Sequence, residues 1–180
     1  SLKGKLRCLL ETEAKKEYPG GVDNPKINKY FGATSEYSKK EEKNRKNDSG
    51  QKESEVPEES LSKFLFRDLK MSKTQRDQFL IGTLPLESKT EISIDRYKGT
   101  ASKAGPRTIE RVPPGTIFES VVLFRYKDDS ELDEMKEMLN LAVKLLMNDA
   151  LGGSGSRGYG AVLITLEYDK SPDNPDNLNA

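Results

Sequence analysis

Five glycines fall within the ten residues Leu151–Gly160, and the same stretch carries Ser154, Ser156, Arg157 and Tyr159. A backbone without Cβ atoms can turn tightly and approach a polyanion, so this run restricts the fold more than any other part of the chain. Its flanks define what it connects. Leu132, Met135, Leu139, Ala142, Leu145 and Leu146 recur at helical spacing across 131–148, with Glu131, Asp133 and Glu134 at the positive end of that helix. The run Ala161-Val162-Leu163-Ile164-Thr165-Leu166 reads as a strand. A helix enters the loop and a strand leaves it.

That order excludes two familiar phosphate sites. Gly153-x-Gly155-x-x-Gly158 matches the dinucleotide fingerprint in letters, but the fingerprint needs a strand before the loop and a helix after it. No Gly-Lys-Ser/Thr follows the glycines, which removes the P-loop reading. A glycine turn capping a helix is the simplest alternative. The hydroxyls, guanidinium and aromatic ring of residues 154–159 point instead to contact with a nucleic-acid backbone.

The 30 basic and 30 acidic residues cancel, so any basic surface must be local. Between Asp95 and Arg111 five basic residues (Arg96, Lys98, Lys103, Arg107, Arg111) face two acids, and Lys3, Lys5 and Arg7 open the chain without a nearby acid. The chain has no histidine and one cysteine, which excludes the usual zinc clusters, Cys/His pairs and Ser-His-Asp triads; no zinc site is expected. Cys8 is expected to pack as a small hydrophobe in a reducing compartment. No apolar run reaches membrane-spanning length, and a cytoplasmic protein with no membrane partner is expected.

Residues 35–60 hold only Tyr37 and Val56 as apolar side chains among six Lys/Arg and eight Asp/Glu, too little to offset ordering entropy. They are expected to form a disordered insertion, which divides one domain into 1–34 and 61–168; residues 169–180 read as a flexible tail. The first segment has Leu2, Leu6 and Leu9 on one helical stripe, with Lys3 and Arg7 together beside it. Opening inside an amphipathic helix points to a first strand upstream of Ser1. Ile27 to Phe31 reads as an apolar turn, and Phe64-Leu65-Phe66 as a buried strand followed by an Arg67–Asp68 ion pair. Residues 90–112 form two arms joined by the small, basic connection Lys98–Pro106. Ile117 to Tyr126 is a strand apolar on both faces, expected at the centre of a sheet. The simplest completion is an α+β fold, a ferredoxin-like (RRM-like) βαββαβ palm with a projecting β-hairpin thumb.

Four motifs occur in order: Ser1-Leu2-Lys3-Gly4-Lys5-Leu6-Arg7; Phe66-Arg67-Asp68; Ile94-Asp95-Arg96 with Gly105-Pro106-Arg107-Thr108-Ile109-Glu110-Arg111-Val112; and Gly152-Gly153-Ser154-Gly155-Ser156-Arg157-Gly158-Tyr159-Gly160. Together they resemble the RAMP superfamily, and within it the backbone subunits of type III CRISPR effector complexes, of the Csm type of subtype A.

The resemblance implies a subunit that polymerises along a CRISPR RNA guide with copies of itself or related RAMP subunits, alongside other effector-complex subunits, and that meets a complementary target RNA. It implies guide contacts at Lys3, Lys5, Arg7 and Gly152, Gly153, Ser154, Gly155, Ser156, Arg157, Gly158 and Tyr159. The thumb, displacing a base at regular intervals, would carry Arg96, Lys103, Arg107 and Arg111. It further implies an endoribonuclease that cleaves target RNA with a divalent metal, Mg2+, through an aspartate expected upstream of Ser1. No catalytic residue is assigned within this chain. Two other readings compete: a stand-alone RRM-like module that stacks single-stranded RNA on aromatics such as Phe124 and Tyr126, and a nucleotide-dependent enzyme using the glycine loop.

Overall fold

The structure, a computed structural model, describes residues 1–17, 24–33 and 61–169. The expected disordered insertion at 35–60 lies outside the described residues, and so does the expected tail apart from Asp169. The chain divides into two units, one within Ser1–Phe66 and Val122–Ala180, the other Arg67–Val121.

The first unit is built on two helices. Helix α1, Leu2–Glu17, packs on the long helix near the chain's end through Leu6 and Leu10, with Leu2 and Leu9 half-buried beside them. Cys8 is exposed rather than packed, because it lies between the buried positions 6 and 10 on the opposite face of the helix. Residues 27–31 are a helix and not a turn: α2, Pro25–Phe31, is started by the Asn24 side chain accepting from the Lys26 and Ile27 amides, carries Pro25 in its first turn and ends at Gly32. It buries Ile27, Tyr30 and Phe31.

Strand β1, Phe64–Phe66, pairs antiparallel with a later strand, Val122–Phe124, placing Phe64 opposite Phe124. Phe64 sits at the centre of an aromatic cluster, 5.0 Å from Phe31 and 5.1 Å from Phe124 between ring centroids. The expected Arg67–Asp68 ion pair does not form: among the described residues both side chains are exposed and no ion pair joins them.

The second unit begins with β2, Lys70–Met71, and α3, Lys73–Leu80. Strands β3, Glu87–Asp95, and β4, Thr100–Arg111, make a long antiparallel hairpin. Its connection is residues 96–99 alone: the stretch read as a loose link to Pro106 is mostly second strand. Glu87 lies opposite Arg111 and Glu91 opposite Arg107, so opposite charges face each other across the ladder. A register shift lies between Ile92 and Ile94, next to Pro106, which has no amide to give to the ladder.

The segment 117–126 is not one central strand. β5, Phe118–Glu119, pairs with β2, whereas β6, Val122–Phe124, pairs with β1. The described residues hold three two-stranded antiparallel sheets, one for each of these pairs and one for the hairpin. Helix α4, Asp129–Met147, follows, with Asp128 capping the Glu131 amide and Met135, Leu139, Ala142, Val143 and Leu146 buried.

Ala161–Leu166 is not in a ladder. Val162, Ile164 and Leu166 nevertheless pack on the core while Leu163 is 91% exposed, the period-two alternation of a strand. The side-chain pattern belongs to this segment, but a ladder also requires a neighbouring backbone. The fold is therefore a mixed α+β arrangement.

Candidate nucleic-acid interface

The glycine run forms a closed loop. The Leu151 amide donates to the Gly160 carbonyl at 2.8 Å, pinching its two ends together. Between them Gly152, Ser154 and Gly158 adopt positive φ, and residues 155–157 make a single 3₁₀ turn. Gly160 is also at positive φ, and a Cβ there would collide with the Leu151 carbonyl; a Cβ at Gly155 would stand 2.6 Å from that of Ala150. The closure thus depends on glycine at 160. Tyr159 is 8% exposed, its ring turned inward, while Gly152, Gly153, Ser154, Ser156, Arg157 and Gly158 remain exposed. The solvent face of the loop is backbone, two hydroxyls and a guanidinium, which suits the oxygens of a phosphodiester.

Helix α1 brings its basic face to the same unit. Lys5 donates to Asp149 at 2.7 Å, two residues before the loop closes. This bond and the Ala150 amide lower the Asp149 carboxyl below its ordinary value. Lys3 donates to Ser62 at 2.7 Å; burial lowers its ammonium pKa, and the neighbouring Arg7 lowers it further. Arg7 is committed inward: Nε to Glu11 at 2.7 Å, Nη1 to the Gly32 carbonyl and Nη2 to Asn28 Oδ1, both at 2.6 Å. That guanidinium fastens α1 to the end of α2.

The other predicted cations lie on the hairpin. Arg111 makes a two-pronged pair with Glu87 at 2.8 and 2.9 Å, which holds the Glu87 carboxyl below its ordinary value, and Arg107 reaches Glu91 at 3.2 Å. Arg96 and Lys103 are exposed, Arg96 in the turn and Lys103 on β4.

Sequence reading missed a charged network at the start of α4. Glu131, 8% exposed, accepts from Lys63 at 2.5 Å, from Lys29 at 3.1 Å and from the Lys127 amide at 2.9 Å. Tyr30 donates to Glu134 at 2.5 Å and accepts from Lys29 at 3.1 Å. The bond from Lys63 is the main reason that the Glu131 carboxyl is pulled down to about 2. Asp128-x-x-Glu131, a helix-start pattern, was the available signal. The network joins α2, the entry to β1 and α4, and no part of it belongs to the glycine loop.

No group of three or more His, Cys, Asp or Glu side chains that could hold a metal ion occurs among the described residues. None of the described helices is long and apolar enough to cross a membrane.

Comparison with known proteins supplies the context for this surface. Residues 1–163 match the family model described as the RAMP superfamily. A relative from Methanocaldococcus jannaschii, named CRISPR system Cms endoribonuclease Csm3, is 47% identical over 77 residues, covering 43% of this chain and 31% of that protein. The protein of the same name from Streptococcus thermophilus is 30% identical over 167 residues, 90% of this chain and 65% of that one. Another from Enterococcus italicus is 29% identical over 172 residues, 93% of this chain and 69% of that one. The chain thus spans 31% and 65% of the length of the first two.

Proposed function

The chain belongs to the RAMP superfamily, and from that premise we propose that it is the guide-binding backbone subunit of a type III, Csm-type CRISPR effector complex. One observation carries the proposal: the closed glycine loop presents an exposed backbone with left-handed steps at Ser154 and Gly158, tied through Asp149 to the basic helix α1. Such a surface holds phosphates without reading bases, as a subunit repeated along a guide of arbitrary sequence requires.

In this reading the guide backbone runs over residues 152–158 with Lys3 and Lys5 alongside, while Arg7 and the inward Tyr159 shape the surface from behind. Arg96, Lys103, Arg107 and Arg111 meet RNA from the hairpin, which serves as the thumb. Further copies, related RAMP subunits and other effector subunits complete the assembly, and a complementary target RNA pairs with the guide. The first unit completes a ferredoxin-like palm when a strand lies beside Ala161–Leu166, whose inward alternation supports that arrangement. A cytoplasmic location follows from the partner.

Cleavage of the target with a divalent metal is the further activity proposed for the assembled complex, in keeping with the endoribonuclease name of the relatives. This chain's described residues offer no ligand set for the metal, and the role derived for them is holding RNA.

The test is purification of the assembled complex with its guide, followed by addition of labelled complementary RNA and magnesium. Guide RNA that co-purifies, resists nuclease at regular intervals and dissociates steeply with salt is the expected result. A complex that assembles without RNA, or a chain that prefers particular bases in short free RNA, sinks the proposal.

A further inference from the structure

The three cations at the start of α1 are not equivalent. Lys5 is matched by the Asp149 carboxylate and Arg7 by that of Glu11, each at 2.7 Å. Among the described residues Lys3 makes no ion pair; its Nζ donates to the Ser62 hydroxyl, also at 2.7 Å. A carboxylate beside a cation offsets much of the field that a phosphate would feel, whereas a hydroxyl leaves the charge whole.

Ser62 is built to accept. Its one hydroxyl hydrogen goes to the Phe64 carbonyl at 2.6 Å, which turns its lone pairs to Lys3. The chain beside it is held on both sides: the Lys63 amide donates to the Tyr30 carbonyl, and the Lys63 carbonyl accepts from the Arg125 amide, both at 2.9 Å. A lysine on its flexible stem loses rotamer freedom when it meets a phosphate, and an acceptor fixed in advance removes part of that loss before RNA arrives. Lys3 is half-buried, and one of its three N–H groups goes to Ser62, so two remain for phosphate oxygens.

Resting on the function proposed above, we propose that Ser62 is a positioning residue for guide binding, one that aims the Lys3 ammonium at a guide phosphate and so makes Lys3 the strongest single phosphate contact of α1. Asp149 and Glu11 orient their cations by neutralising them. Ser62 orients its cation and leaves it charged.

The test titrates the purified full-length protein and its variants with labelled guide RNA at several salt concentrations, with thermal unfolding of each variant alongside. Ser62→Ala is expected to weaken binding about two- to tenfold, the cost of ordering one long side chain. In a Lys3→Ala background the same change adds nothing. Ser62→Thr, which keeps the hydroxyl, restores binding, whereas Ser62→Asp, which keeps an acceptor but neutralises the lysine, weakens it. Lys3→Ala lowers the slope of log binding constant against log salt by about 0.7 and weakens binding more than Lys5→Ala does. A Ser62→Ala effect of equal size with and without Lys3, or one that follows the loss of thermal stability alone, overturns the inference; so does a Lys3→Ala protein that binds as well as Lys5→Ala. Each of these leaves the proposed function standing. A protein that holds no guide RNA in any form removes both.

Discussion

Lys5 Nζ lies 2.7 Å from Asp149 Oδ2, so the opening turns of α1 are tethered to the residue that leads into the glycine loop. The pair is partly exposed and adds little to folding. Its effect is on where the cation points. Asp149→Ala frees Lys5 for phosphate and is expected to tighten guide binding a few-fold, whereas Lys5→Ala weakens it; titration of each purified variant with labelled guide checks the opposite signs.

The closure of the loop depends on a residue without a Cβ. Gly160→Ala meets both an unfavourable φ and the Leu151 carbonyl, and is expected to cost about 1–3 kcal/mol. Thermal unfolding measures the loss, and RNA binding should fall with it, since residues 152–158 would no longer be held by their ends.

Arg157 is exposed in the same loop. Replacing it with Ala should lower the slope of log binding constant against log salt by about 0.7, the value for one contact with a single strand. An unchanged slope would assign Arg157 a role other than phosphate contact.

The charged network at α4 predicts acid sensitivity. The Glu131 carboxyl is lowered to about 2 from its ordinary 4.5, so the folded state favours its ionised form. The stability this supplies is fully present above about pH 4.5 and is lost as pH falls toward 2. Glu131→Gln should flatten that part of the stability–pH curve and cost about 2 kcal/mol at neutral pH, read by denaturant unfolding at several pH values.

Phe64, nearly inaccessible among Phe31, Phe66 and Phe124, is the core position with the most to lose. Phe64→Ala is expected to cost about 3–5 kcal/mol. Circular dichroism melts of the two proteins give the difference.

Much of this was readable from residue order because the signals were local. Helix α4 follows from the spacing of Met135, Leu139, Ala142 and Leu146, and the loop from its glycines. The hairpin arms follow from alternation, but the turn was misplaced, since small residues such as Ala101 and Ser102 sit in a strand when cross-strand pairs such as Arg107–Glu91 hold the register. Helix α2 reads as a turn in the letters because seven residues give too short a period to recognise, and its start rests on a single Asn24 cap. Inward commitments were the least readable part. Nothing in the letters around Arg7 tells that Gly32 and Asn28 consume its guanidinium, because those contacts exist only once α1 and α2 have packed.

Within Arg67–Val121, none of the described side chains is buried. Such a unit has no interior to melt, so its amides are protected by the backbone hydrogen bonds of its strand pairs and of α3, without a packed core behind them. In hydrogen exchange the hairpin should open at a far lower free energy than α1 and α4, and its slowest amides should be those between the Glu87–Arg111 and Glu91–Arg107 pairs. A segment with so little stability of its own is ordered chiefly by what it grips, and its exchange rate then becomes a gauge of occupancy.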